Sequence, residues 1–355
     1  MKFLLVTYTG LGNFILKTPL VRAISEHFPG AQIHLICGSP WGVEEVLSGS
    51  NLIHRTHWCS IKSPWLQKLR ILLVLRRQKY DIVLLPFDST PGYFSRFVWI
   101  LNPKRVISHF QIPFSSFRFF RISLRLLLGA NRHWVPVLTG RHECELNLDL
   151  LEPILKLPTE RNLQTFVHWE PEDISEFGLN ENYIVIQLGA SNGEPTPKTW
   201  DPQNFFTLIN KLREKKNDLQ FVLVGDRGDA QLLKKSISDF GCVINLLGMT
   251  TFNQLCNVIN RARLVVAHDS GAMHVTNALN RPLLALYGPT DFTRTRPLGS
   301  KSHILQSRNG CWAKMYSFRS SEADLAEQFQ NYYCMSGISV DMVYSKILSI
   351  LEDSK

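Results

Sequence analysis

The sequence predicts an α/β protein of two domains, each built on a parallel sheet. Three observations carry that reading. At 355 residues the chain is large for one core. Three apolar runs end in a glycine or polar turn and pass into helical spacing: Phe3 to Tyr8 before Thr9-Gly10-Leu11-Gly12-Asn13, Tyr183 to Gln187 before Leu188-Gly189-Ala190-Ser191, and Leu264 to Ala267 before His268-Asp269-Ser270-Gly271. A strand, a tight turn and a helix in that order open a doubly wound domain, and the turn falls at the carboxyl end of the sheet, where such sheets bind ligands. Finally, no apolar run reaches the roughly 18 residues a membrane span needs, and the first is too short for a signal-peptide core.

Composition narrows the class. Hydrophobic residues make up 45% and charged ones 19%, as in a globular rather than a disordered chain. With no leader expected, the compartment expected is the cytoplasm. Seven cysteines lie scattered at 37, 59, 144, 242, 256, 311 and 334 without a C-x-x-C pair, so free thiols are expected rather than a disulfide frame or a zinc site. Charge is uneven: residues 1–165 hold 20 Lys+Arg against 10 Asp+Glu, whereas residues 166–355 hold 19 against 20. A first half at +10 beside a second at −1 points to an anionic partner for the first half. On charge alone nucleic acid, an acidic membrane surface and a phosphorylated lipid all fit. Nucleic acid is not expected, because no nucleic-acid-binding module is present.

In chain order, Phe14 to Phe28 reads as a helix that kinks or restarts at Thr18-Pro19. Gln32 to Cys37 is a strand, and Trp65 to Lys79 a helix rich in Lys68, Arg70, Arg76, Arg77 and Lys79. Tyr80 to Leu85 is a strand, Gly92 to Leu101 a helix, and Arg105 to Ile107 a short strand. Within residues 110–128, Arg118, Arg121 and Arg125 share one helical face beside aromatic and aliphatic bulk. That face suits a membrane surface, a guanidinium cluster for phosphate or carboxylate, or a core helix with a solvated edge. Residues 141–153 form a helix, and the first domain runs over 1–168. The second, 169–338, adds strands at 183–187 and 219–224, the latter ending in Gly225-Asp226. It also has helices at 205–212 and 252–261 and the unit around Leu264 to Asp291. A helix over 339–355 is expected to pack back on the first domain.

Taken singly, the polar residues read blandly: Lys198 as a surface lysine, Ser270 as a helix cap, Met249 as a core methionine. As a set, Asp269, Ser270 and His274 around a helix start read as a ligand site, since free N–H groups there attract phosphate and Asp269 or Ser270 can cap the helix.

HDSGAMH followed by LYGPTD resembles the C-terminal signature of glycosyltransferase family 9, the heptosyltransferases of lipopolysaccharide core assembly and their relatives. GLGNFILKTPLVRAISEHFPGAQIHLI is similar to the family's N-terminal motif, and G-A-S, a loop and K-T-W to its phosphate-side motif. The resemblance implies a GT-B fold with two Rossmann-like domains and an inverting, metal-independent transferase without a cofactor. The donor is a nucleotide-sugar, ADP-heptose being one such, and the acceptor an anionic glycolipid at the cytoplasmic face of the inner membrane. Donor contacts implied are Gly189, Ala190, Ser191, Lys198, Asp226, Met249, Asp269, Ser270, Gly271 and His274. Acceptor contacts expected are Gly12, Asn13, Arg118, Arg121 and Arg125, with Asn13 and Lys198 catalytic. The family carries Asp as general base where this chain has Asn13, whose amide cannot accept a proton at neutral pH. His109, Asp88 and His268 are the substitutes considered. A nucleotide-sugar epimerase of the same fold and a non-catalytic sugar-nucleotide or glycan binder remain the alternatives.

Overall fold

The computed structural model describes residues 1–38, 42–111, 131–189, 196–233, 241–308 and 334–353. It divides into two compact units, Met1–His168 and Trp169–Lys355.

In the first unit, β1 (Lys2–Thr7), β2 (Gln32–Cys37), β3 (Arg55–Trp58), β4 (Ile82–Leu85), β5 (Arg105–Gln111) and β6 (Arg132–Val137) form one parallel sheet in the order β3-β2-β1-β4-β5-β6. The chain steps outward from β1 to β3, then returns to the other side of β1 to start β4. The order therefore reverses between β1 and β4. Phe3, Leu4, Leu5 and Val6 of β1 and Val83 and Leu84 of β4 are fully buried, because helices cover both faces of a parallel sheet. The expected helix after β1 is two pieces, α1 (Leu11–Ile15) and α2 (Thr18–His27), with Pro19 in the first turn of α2. Proline is tolerated there because its missing N–H would have no partner inside the helix, so the chain restarts rather than kinks. Next come α3 (Trp65–Arg76), α4 (Gly92–Phe97) and α5 (Glu143–Asp149), the last started by His142, whose ring accepts from the Cys144 N–H.

In the second unit, β7 (Tyr183–Gln187), β8 (Gln220–Val224), β9 (Val243–Asn245), β10 (Leu264–His268), β11 (Leu283–Tyr287) and β12 (Ser302–Gln306) are again all parallel, in the order β12-β11-β10-β7-β8-β9. The reversal here lies between β7 and β10. Its helices are α6 (Pro202–Lys215), α7 (Phe252–Arg261), α8 (Gly271–Ala278), α9 (Phe292–Thr295) and α10 (Val340–Asp353). Local chemistry sets their starts. Asp201 caps α6 through the Gln203 N–H ahead of Pro202, and Thr251 with Gln254 forms a reciprocal capping box on α7. The apolar face of α10 packs into the core of the second unit. Val343, Ile347, Ile350 and Leu351 join the core built on Phe205, Leu208 and Leu212 of α6, and the Trp200 indole donates to the Ile338 carbonyl (2.9 Å) just ahead of the helix.

Among the described residues, no helix is long and apolar enough to cross a membrane. Cys37, Cys59, Cys144, Cys242 and Cys256 are free, as expected, but Cys334 is disulfide-bonded. Spacing along a chain does not reveal which thiols the fold brings together, and the expectation of free thiols fails at that residue.

Candidate active site

In the second unit the strands at the reversal end level with one another. Val265 pairs with Val185 across β10 and β7, and Gln187 pairs with Val224 across β7 and β8. This register gathers Gly189, Asp226 and Asp269-Ser270-Gly271 at one sheet edge.

His268, the last residue of β10, is fully buried, and its Nε2 accepts the backbone N–H of Trp200 (3.0 Å). That bond pins the loop before α6, which is further closed by Thr196 and Thr199 (hydroxyl oxygens 3.0 Å apart). Lys198 lies inside the pinned loop, so its ammonium reaches the Asp269 carboxylate (2.8 Å). Trp200 stacks edge-on against Phe205, and Phe205 against the His268 ring, so the anchor is packed as well as bonded. Burial pushes the His268 imidazole down to about 4, against the opposing pull of the Gly189 backbone and the Asp269 charge. A neutral, fully enclosed ring whose Nε2 lone pair is already used positions Lys198; it does not abstract protons.

Asp269 is 6% exposed. Besides Lys198, its carboxylate meets the His274 Nε2 at 3.8 Å and the Thr295 hydroxyl at 3.4 Å. Burial raises its pKa, but the charges of Lys198 and His274 and the Lys198 hydrogen bond outweigh that, and the net shift is downward. The carboxylate is therefore ionised and held by its own neighbours, while Lys198 keeps part of its surface in solvent (17% exposed).

Ser270 occupies the capping position of α8 in extended geometry but does not cap it. Its hydroxyl instead donates to the Gln187 amide oxygen. Asp269, turned toward Lys198, does not cap the helix either. Among the described residues, the first N–H groups of α8, from Gly271 onward, thus have no side-chain acceptor and lie beside an ammonium group, an arrangement suited to an anion.

Close packing explains the glycines. A Cβ on Gly189 would fall 1.9 Å from Asp229 Oδ1. Asp229 is 2% exposed and accepts from the Asp226 N–H (3.0 Å), while Asp226 accepts from the Asp229 N–H (3.0 Å), closing the turn after β8. Met249 follows Gly248, whose φ of +66° brings that turn against Arg227. Met249 is 62% exposed, which excludes the core reading. Ala190 and Ser191 lie outside the described residues.

In the first unit, Gly12 and Asn13 sit in α1, and the Asn13 carbonyl accepts from the fully buried Lys17 ammonium (3.1 Å). Lys17 also forms an ion pair with Asp88 on the loop after β4. His109, one of the substitute bases, has both nitrogens engaged: Nδ1 accepts from the Phe87 N–H (3.2 Å) and Nε2 donates to the Leu146 carbonyl (2.8 Å). Burial pushes it down to about 4. Arg118, Arg121 and Arg125 lie outside the described residues. Sequence reasoning missed Lys17 and Gln187 altogether. The available signal was a polar residue inside an apolar run: Gln187 ends a strand otherwise fully apolar, and Lys17 interrupts Phe14–Leu20.

Comparison with known proteins settles the family. The glycosyltransferase family 9 (heptosyltransferase) model matches residues 106–322. The lipooligosaccharide heptosyltransferase 2 of Haemophilus ducreyi is 33% identical over 331 residues, covering 87% of this chain and 90% of that protein. The chain belongs to glycosyltransferase family 9. Within that family it is also similar to the lipopolysaccharide heptosyltransferase 3 of Escherichia coli, 26% identical over 302 residues with 81% of this chain and 83% of that one covered. Among solved structures, E. coli ADP-heptose LPS heptosyltransferase II superposes with a TM-score of 0.71 over 99% of both chains at 21% identity, which establishes the GT-B fold. The two six-stranded parallel sheets with matching strand order are the two halves of that fold.

Proposed function

We propose that this family 9 glycosyltransferase is inverting and metal-independent. It moves a heptose or related sugar from a nucleotide-sugar, ADP-heptose being the first to test, to a lipopolysaccharide core or related glycan acceptor at the cytoplasmic face of the inner membrane. The observation that carries the donor assignment is the uncapped start of α8 beside Lys198, which is itself held by Asp269 and the His268–Trp200 anchor. The names of the relatives, heptosyltransferases of lipopolysaccharide and lipooligosaccharide, support the substrate class.

The second unit holds the donor. As the bond from the anomeric carbon to the diphosphate oxygen breaks, negative charge grows on the leaving group. The α8 amides and the Lys198 ammonium are already oriented to receive it, so little reorganisation is needed at that moment. Gly189, Asp226 and Met249 bracket the rest of the nucleotide. The first unit, with its excess of cations, holds the anionic acceptor, whose hydroxyl attacks the anomeric carbon from the face opposite the diphosphate and inverts it.

The test incubates the full-length chain with a panel of nucleotide sugars, with and without a core-oligosaccharide acceptor. Acceptor-dependent consumption of the donor with an inverted product supports the reading. A donor altered without acceptor indicates an epimerase, and a donor bound but unchanged indicates the binding protein that Asn13 brings into consideration. Either outcome refutes transfer.

A further inference from the structure

At the reversal of the first sheet, four side-chain oxygens are buried without a hydrogen-bond partner among the described residues: Thr7 Oγ1, Thr9 Oγ1, Asp88 Oδ1 and Thr90 Oγ1. Buried polar atoms are nearly always paired, and an unpaired carboxylate oxygen is the costliest kind to leave. These four do not scatter. They lie at the end of β1 and on the loops that leave β1 and β4, which are tied together by the Tyr8 N–H to the Ser89 carbonyl (3.0 Å) and the Ser89 hydroxyl to the Val6 carbonyl (3.1 Å).

The Asp88 side chain is 7% exposed. One of its oxygens pairs with Lys17, whose side chain is fully buried and also donates to the Asn13 carbonyl. One ammonium therefore fastens the carboxylate of the β4 loop to the helix that follows β1. Holding a buried ion pair here is expensive, and it serves stability poorly compared with apolar side chains of the same volume. It does leave one carboxylate oxygen, Oδ1, fixed, buried and without a hydrogen-bond partner among the described residues, at the same strand ends as the three hydroxyls. Such a set matches a polyhydroxylated ligand: hydroxyls donate to the carboxylate and exchange hydrogen bonds with the threonines.

We propose that Asp88 is the proton acceptor for the attacking sugar hydroxyl, with Lys17 as its positioning residue and Thr9 and Thr90 bonding neighbouring hydroxyls of the same acceptor sugar. This rests on the reading of the first unit as the acceptor-holding half. The acceptor oxygen forms its bond to the anomeric carbon, the bond from that carbon to the diphosphate breaks with the electron pair leaving on the diphosphate, and the hydroxyl proton passes to Asp88 Oδ1. Asn13 offers an amide and His109 has both nitrogens engaged, so neither competes for the proton.

The experiment uses the full-length chain with a donor and acceptor that the wild type accepts. Asp88→Asn is expected to lower kcat on the order of 100- to 10,000-fold, the range for losing a general base, while donor binding to the second unit is unchanged. Asp88→Ala loses the same activity and regains part of it in added formate, which a merely structural role would not allow. Lys17→Met combined with Asp88→Asn removes both charges. It is expected to melt with the wild type yet stay inactive, separating chemistry from the burden of an unpaired buried ammonium. Wild-type kcat in Asp88→Asn, or Asp88→Ala unmoved by formate, overturns the assignment while leaving the transferase intact. A wild type that transfers to no acceptor overturns the function and this inference with it.

Discussion

Replacing Lys198 with methionine preserves most of the stem and removes the charge. Asp269, whose side chain is 5% exposed, would then keep His274 at 3.8 Å, the Thr295 hydroxyl at 3.4 Å and a hydrogen bond with Thr290, but no ammonium among the described residues. Breaking one side of a buried ion pair costs about 3–5 kcal/mol. Lys198 is partly solvated, so the lower end applies, about 3 kcal/mol. For a unit of this size each kcal/mol moves the melting temperature by about 2–4 °C, giving a fall of about 6–12 °C. Calorimetry of the full-length protein would show it in the transition of the second unit. Adding Asp269→Asn removes the orphaned charge and is expected to restore most of the loss. The pH dependence follows with a definite sign. Asp269 is held below its ordinary value in the folded state, so its contribution is fully present above the unfolded carboxylate range near about 4. It is lost as pH falls through the folded value, and the gap between wild type and Lys198→Met closes in acid. A variant that melts with the wild type at neutral pH, or a gap that widens in acid, refutes the reasoning.

Further predictions concern single positions. Gly189→Ala places a Cβ 1.9 Å from the fixed carboxylate of Asp229 and is expected to cost about 1–3 kcal/mol in urea unfolding. His268 is expected to stay neutral until pH falls to about 4, with nitrogen chemical shifts placing its proton on Nδ1. The unfolded histidine binds its proton near about 6.5, so stability declines as pH drops from there toward the folded value. Asn13→Ala removes one hydrogen-bonding group toward the acceptor and is expected to lower kcat/KM about tenfold, since one such bond is worth roughly 1 kcal/mol or slightly more. Unchanged kcat/KM takes residue 13 out of the site.

Central strands and their turns could be read directly; edges could not. β1, β4, β7, β10 and β11 are buried on both faces, so each appears in the sequence as an unbroken apolar run. The strands left unassigned, β3, β6, β9 and β12, are the four sheet edges. Each mixes exposed or half-buried positions, and the apolar signal fades with the burial. In the site, Lys198, Asp269 and His274 were legible as a motif and do converge. Their supports were not. Nothing along the chain announces that Gln187 takes the Ser270 hydroxyl from the helix, or that His268 serves as an anchor rather than a base. Those outcomes depend on which strand ends become neighbours. The same holds for Lys17 and Asp88, 71 positions apart, which meet only because β4 returns to the side of β1.

Calorimetric titration of nucleoside diphosphates, ADP first and then UDP and GDP, into the full-length chain and into Lys198→Met addresses the diphosphate grip itself. Saturable binding of one of them to the wild type, weakened at least about tenfold in the variant as expected for a lost charge-assisted bond, is the predicted result. Binding of equal strength to both proteins, or of none to the wild type, would contradict it.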